Sequence, residues 1–419
     1  MDGYPRINLA LDNCFASKRW TRPDEWMEVT RELGVRYIEA SADTEADPLY
    51  CGEEYMADWT AAVRKAEERT GAKVANLYSG HGTYSTLGLG HTDGRVRARI
   101  RESWVKPILR TAAQLNAGLG FYCHAFPASV LQDPAAYAEK TDELTGELAE
   151  IARYARELGD LTMSLEQMYS PHQVPWTIRG THALLAEVHR RSAAPLYVTI
   201  DTGHQTGQNS YVRPSESSIE KMLMGSGVRR RRAGPGTSGD TLGGVWLGPD
   251  AAFTLAESAG LKGKEAAREA RRSLATMMDQ FPFLFSRPED SDTYQWLRSL
   301  GCYSPIVHLQ QVVGKHSAHL PFTMEANRKG TIQAPRLLGA LADSYAQAPA
   351  ADLPPRVDVI YLTLEIFSGT SQPPRQILAN LRESVAYWRR FVPRDGLRLD
   401  ELVENHRVGH PDEHAARIV

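Results

Sequence analysis

Glu166 in MSLEQ, Asp201 in VTIDTGH, His308 in IVHLQ and Glu365 in LTLEIF share one setting: each ends or follows an apolar, β-prone run. Such runs bury the polar residue they carry, and a buried carboxylate is costly unless it is paired or metal-bound. Three carboxylates drawn to one place repel one another, and a divalent cation resolves that conflict. Mixed oxygen and imidazole ligands suit Mn²⁺, Mg²⁺, Co²⁺ or Zn²⁺ without choosing among them. Taken singly, each acid reads equally well as a helix cap or a salt-bridge partner. The DTG around Asp201 is also ordinary turn chemistry before a loop. The metal reading therefore depends on a fold that brings all four together.

The elements that must do this alternate along the chain. Strand-like runs lie at INLALD (7–12), RYIEAS (36–41), KVANLYSG (73–80), GFYCHAF (120–126), LTMSLEQ (161–167), LYVTIDTGH (196–204), SPIVHLQQ (304–311) and VDVIYLTLEIF (357–367). Helical spacing fills the gaps over 23–33, 53–69, 95–115, 134–158, 179–192, 292–300, 335–346 and 374–391. Repeated βα units require a parallel sheet with right-handed crossovers. Strands rich in Val, Ile, Leu and Tyr fit burial on both faces. Eight units favour a closed (β/α)8 TIM barrel over an open sheet, and no GxGxxG or GxxxxGK loop follows the first strand. In such a barrel the site lies at the carboxyl ends of the strands, where the four residues fall on strands five to eight.

We read residues 1–419 as one barrel, with 207–291 as an inserted loop and helical lobe after strand six. The loop is rich in Gly, Ser and Arg and holds four successive arginines, Arg229–Arg232. These read first as a solvated loop, secondly as a lid or phosphate clamp. The lobe could make a subunit contact in a homo-oligomer.

The strand order of these ligands resembles the xylose isomerase-like barrel superfamily, within it the sugar and sugar-phosphate isomerase/epimerase group. A glutamate after strand five, Asp-x-x-His after strand six, a histidine after strand seven and a glutamate after strand eight carry the resemblance, which covers roughly 5–206 and 292–392. It implies one divalent metal ion held by Glu166, Asp201, His308 and Glu365. It also implies Glu166 and Glu365 as acid and base on opposite faces of a ketose, acting through an enediolate. His204, three residues after Asp201, matches the family's substrate-binding histidine. The arginine that often follows the strand-seven histidine is absent from HLQQVVGKHSAH, where Lys315 or His316 stands in that region. A further acidic residue after strand five is replaced in QMYSPHQVPW, where His172 or Gln173 stands. These departures leave the sugar unnamed.

Other candidates for the rim are Asn13, Trp20, Glu39, His81, His124 and Trp176. The tryptophans could stack on the apolar face of a sugar or simply pack. Glu39 suits a structural pairing with a lysine or arginine of the barrel. His81 and His124 read evenly as core histidines or substrate contacts.

The bulk numbers exclude several classes. Net charge is −3 over 419 residues, so no whole-chain basic field gathers nucleic acid or an anionic membrane. An endonuclease-IV-like repair enzyme would need that field and a denser ligand cluster. No run of about 18 apolar residues predicts a membrane span. The first residues lack the pattern of a signal peptide. The four cysteines are far apart, which fits a reducing cytoplasm rather than a disulfide framework. The expected partner is a small carbohydrate and the expected activity an isomerase. The alternatives are a metal-dependent dehydratase of a keto-polyol (inosose type) and a non-catalytic sugar-binding barrel.

Overall fold

The computed structural model describes residues 3–41, 44, 46–78, 86–123, 126–213, 215, 241–242, 245–246, 272, 275–276, 278–314 and 316–409. Eight parallel strands form the barrel: Arg6–Asp12, Tyr37–Ser41, Lys73–Tyr78, Gly118–Phe121, Met163–Glu166, Tyr197–Asp201, Ile306–Leu309 and Val359–Leu364, named strands one to eight below. Strand eight closes on strand one, with register from Arg6 opposite Val359 to Leu11 opposite Leu364. A short segment, Leu397–Arg398, adds antiparallel to the start of strand one.

Helices follow the strands in turn: Pro23–Glu32, Pro48–Thr70, Gly94–Ile100 continued by Lys106–Leu115, Pro134–Glu157, Ile178–Ser192, Thr293–Leu300, Ala334–Ala346 and Pro374–Arg389. Local chemistry sets their ends. Asp47, Asp133 and Asp292 each accept from a backbone N–H two residues on, and Thr177 accepts from Gly180 N–H. Gly71 ends the second helix in the left-handed region at φ 74°, where its N–H reaches Glu67 O. The third helix, expected to run unbroken, contains a π turn over Arg101–Val105 just before Pro107. Proline has no N–H to donate, and the wider turn absorbs that gap.

Strand four lies earlier than its sequence suggests, over GLGF rather than GFYCHAF. The reason is steric: a Cβ on Gly118 would lie 2.7 Å from Asn76 Oδ1, and one on Gly120 would lie 3.0 Å from Tyr78 Cδ2. The glycines leave room for side chains of strand three inside the barrel. Strand eight stops at Leu364, so Glu365 sits one residue beyond it, still tied to strand seven by its N–H to Leu309 O.

Most of the insertion over 207–291 lies outside the described residues, including Arg229–Arg232. Its two described ends pair with each other: Ser286 N–H donates to Tyr211 O and Arg213 N–H to Ser286 O, both at 2.9 Å. The helix Leu399–Gly409 follows the barrel. Among the described residues no helix is long and apolar enough to cross a membrane.

Candidate active site

The parallel register aligns the ends of the strands. Asp201 lies opposite His308, Asp12 opposite Glu39, and Glu39 opposite Asn76. Glu166, Asp201, His308 and Glu365 thus converge: one ligand atom from each lies within 4.8 Å of those of the others, and all four residues are buried. Asp12, Glu39 and His308 form a second, adjoining group of the same kind.

His308 joins the two groups. Its Nδ1 faces Glu166 Oε1 at 2.9 Å and Glu365 Oε2 at 3.3 Å, and its Nε2 faces Glu39 Oε2 at 2.7 Å. Burial alone would lower the pKa of this imidazole, but Glu365, Glu39 and Glu166 outweigh it and hold it well above the ordinary histidine value. The ring is further fixed by Tyr78, which packs edge-on at 5.2 Å and donates its hydroxyl to Glu166 Oε2.

Asp201 is held by dipoles. Its Oδ1 accepts from Gly203 N–H at 2.7 Å, His204 N–H at 2.9 Å and Gln310 Nε2 at 2.8 Å; Gln310 Nε2 also lies 3.0 Å from Oδ2. Gly203 permits this approach, because a Cβ there would lie 2.5 Å from Gln310 Cδ. Burial raises the carboxyl of Asp201, yet His204, His319, His308 and the Gln310 amide bring it below its ordinary value. Glu166 is also lowered, since His204 and His308 overcome its burial.

Glu365 behaves oppositely. Burial raises its pKa despite His308 and His319. Its Oε2 has His319 Nδ1 at 3.2 Å but accepts no well-directed hydrogen bond, a buried oxygen left unsatisfied. Asp12 is raised well above the ordinary range by burial, then by Glu39 and Glu365. Three carboxylates and an imidazole, with the Oε2 of one carboxylate, Glu365, left unsatisfied, fit the needs of a divalent cation.

Two close pairs of rings, one tilted and one stacked, flank this cluster. Tyr169 lies 4.0 Å from His204 between ring centres, and Phe367 lies 3.9 Å from His319, nearly parallel. Phe367 is 53% exposed, so one wall of the site reaches solvent.

Residues 27–225 match the family model described as xylose isomerase-like TIM barrel. That match spans strands two to six of the barrel. A curated relative, D-erythrulose 1-phosphate 3-epimerase of Brucella abortus (strain 2308), is 35% identical over 103 residues, covering 25% of this chain and 30% of that protein. A provisionally named xylose isomerase from Rhodospirillum rubrum ATCC 11170 superposes with a TM-score of 0.62 at 18% identity, over 92% of this chain and 99% of that one. An L-ribulose 3-epimerase structure gives 0.50 at 13% identity, over 99% of both. At these identities the structural likeness is one of fold.

Within this barrel the remaining candidates fall in different places. His204 is buried beside the cluster, with Nδ1 2.7 Å from Gln167 O and Nε2 3.7 Å from Asp201 Oδ1. His172 is half-buried, with Nδ1 2.7 Å from Phe126 O. Gln173 bonds Ser170 through its Oε1. His316 is exposed at the start of the second arm of a hairpin, Gln311–Val313 with His316–Leu320. Trp20 is half-buried against Phe15. Trp176 is buried edge-on to Tyr211 and lines a separate cavity of about 680 Å³ with Tyr137 and Phe283. Asn13 is taken up by Thr44 and Ser41, a loop brace. His81, His124 and Lys315 lie outside the described residues.

Sequence reasoning misses Asp12, Tyr78, Gln310 and His319. Asp12 and Tyr78 end strands one and three and answer the same strand-end test as the four ligands. Gln310 and His319 carry no such signal, because their approach depends on Gly203 and on the hairpin after strand seven. Glu39 differs from its expectation: it meets His308 and Asn76, not a lysine or arginine.

Proposed function

We propose that this chain is a divalent-metal-dependent isomerase or epimerase of a ketose or ketose phosphate. The observation that carries it is the convergence of Glu166, Asp201, His308 and Glu365 from successive strands of a xylose isomerase-like barrel. The partial likeness to D-erythrulose 1-phosphate 3-epimerase supports the reaction class. Glu166, Asp201, His308 and Glu365 would hold one ion, Mn²⁺, Mg²⁺, Co²⁺ or Zn²⁺. When bound, such an ion polarises a carbonyl and offsets the negative charge that develops there.

The protein's own part is proton transfer. One glutamate, as carboxylate, takes the proton from the carbon beside the carbonyl; the electron pair moves toward the carbonyl oxygen and leaves an enediolate. The other glutamate, as carboxylic acid, returns a proton to that carbon from the opposite face, inverting it. Tyr78 steadies Glu166 and His319 stands against Glu365, so each acid keeps its direction. His204, beside Asp201, is suited to a substrate oxygen, and His172, Trp20, His81, His124 and Lys315 are further candidates for binding.

The test is stereochemical. Metal-loaded protein is incubated with ketoses from tetrulose to hexulose, free and 1-phosphorylated, and the products are separated by chiral chromatography. Inversion or carbonyl migration that stops on chelation supports the reading. A product one water lighter would make the chain a dehydratase instead.

A further inference from the structure

A neutral imidazole presents a lone pair on only one nitrogen, and the hydrogen bond at the other nitrogen decides which. The geometry points to Glu39 as the positioning residue for metal uptake. It accepts the Nε2 proton of His308, sets the tautomer, and leaves the Nδ1 lone pair for a cation shared with Glu166, Asp201 and Glu365. This rests on the metal-centred reading given above.

The placement of Glu39 fits that role. It is 1% exposed, and among the described residues no lysine or arginine pairs with it. Its Oε2 lies 2.7 Å from His308 Nε2, the short distance of a charge-assisted bond. Its Oε1 accepts from Asn76 Nδ2 at 2.6 Å, which fixes the carboxylate plane. Asn76 in turn needs the bare Gly120, where a Cβ would lie 3.1 Å from its Nδ2. Tyr78 blocks rotation of the ring by its edge contact. Support therefore runs from strand four through strands three and two to the ligand on strand seven. A buried carboxylate is expensive unless it is paired, and the partner that this row of interior side chains holds Glu39 against is His308.

The test compares Mn²⁺ binding by calorimetry in the full-length chain and in Glu39→Gln. Glutamine keeps the size, but it is neutral and its single oxygen cannot accept from both Asn76 Nδ2 and His308 Nε2, as the two carboxylate oxygens of Glu39 do. We expect one Mn²⁺ per wild-type chain and a Kd about 10- to 100-fold weaker in the variant, with the metal-free far-UV spectrum unchanged. A wild-type chain that binds one Mn²⁺ and a variant that binds it as tightly overturn this inference and leave the metal reading intact. A wild-type chain that binds no Mn²⁺ overturns both. Two ions in the wild type and one in the variant would make Glu39 a ligand and overturn the positioning role. Should the variant misfold, ¹⁵N shifts of the histidine rings in Zn²⁺-loaded wild type decide. His308 protonated at Nε2 supports the inference, and a proton on Nδ1 overturns it.

Discussion

At the scale of single residues, the site holds carboxylates with opposed environments. Glu166 and Asp201 are lowered and Glu365 and Asp12 raised, although all four are buried. The difference follows from where the imidazoles of His204, His308 and His319 lie. Glu166→Gln or Glu365→Gln should abolish proton exchange while leaving most of the stability, since glutamine keeps the shape. Retained exchange in both variants removes the two-glutamate mechanism. His319 gives a pH prediction. Burial lowers its pKa, but Glu365, Asp201 and Glu166 raise it to about 9, against about 6.5 in an unfolded chain. A raised histidine stabilises the fold fully below its unfolded pKa and loses that contribution as pH rises through the folded value. Urea midpoints of metal-free wild type should therefore fall relative to His319→Asn between about pH 6.5 and 9. Parallel curves would contradict the pairing with Glu365.

At the scale of elements, much was readable in the sequence. Strands buried on both faces are near-continuous apolar runs, so seven of the eight lie within the stretches that periodicity picks out, apart from a residue at an end. Strand four is the exception: GLGF has no β signature, and the aromatic residues after it draw attention away. The same logic holds for the site. Acids at strand ends are legible because burial makes them conspicuous. Gln310 and His319 are not, because their roles come from contacts across the barrel mouth. Gly203→Ala tests one such contact. Its new Cβ would displace the Gln310 amide from Asp201, and losing a hydrogen bond to a buried charge costs about 1.5–3 kcal/mol. Chemical denaturation should show that loss, and a cost near zero would mean that Gln310 moves aside freely. Asp133→Ala, by contrast, removes only a helix cap, exposed and remote from the site, and should cost about 1 kcal/mol.

At the scale of the whole molecule, the barrel is closed by hydrogen bonds from strand eight to strand one, so ligands from four strands are held by one continuous ladder. A cation bound to all four should stabilise the entire fold. At one hundred times its Kd, Mn²⁺ should add about 2.7 kcal/mol, read as a higher melting temperature that chelation reverses. Thiol reactivity reports the same rigidity. Cys14, Cys123 and Cys302 are buried and Cys51 is half-buried, and burial pushes the Cys123 thiol up to about 12. Mass spectrometry after brief alkylation of the native chain should find label on Cys51 first; early labelling of Cys123 would show that the barrel opens.

The most direct measurement of the central claim is solvent deuterium wash-in. Metal-loaded protein in D₂O is given each ketose and ketose phosphate, and the carbon beside the carbonyl is followed by proton NMR. The account predicts that at least one substrate loses that proton signal with wild type, and that Glu166→Gln, Glu365→Gln and chelated protein leave it intact. Exchange that persists in those variants, or a metal-loaded wild type that exchanges no proton in any ketose, would contradict it.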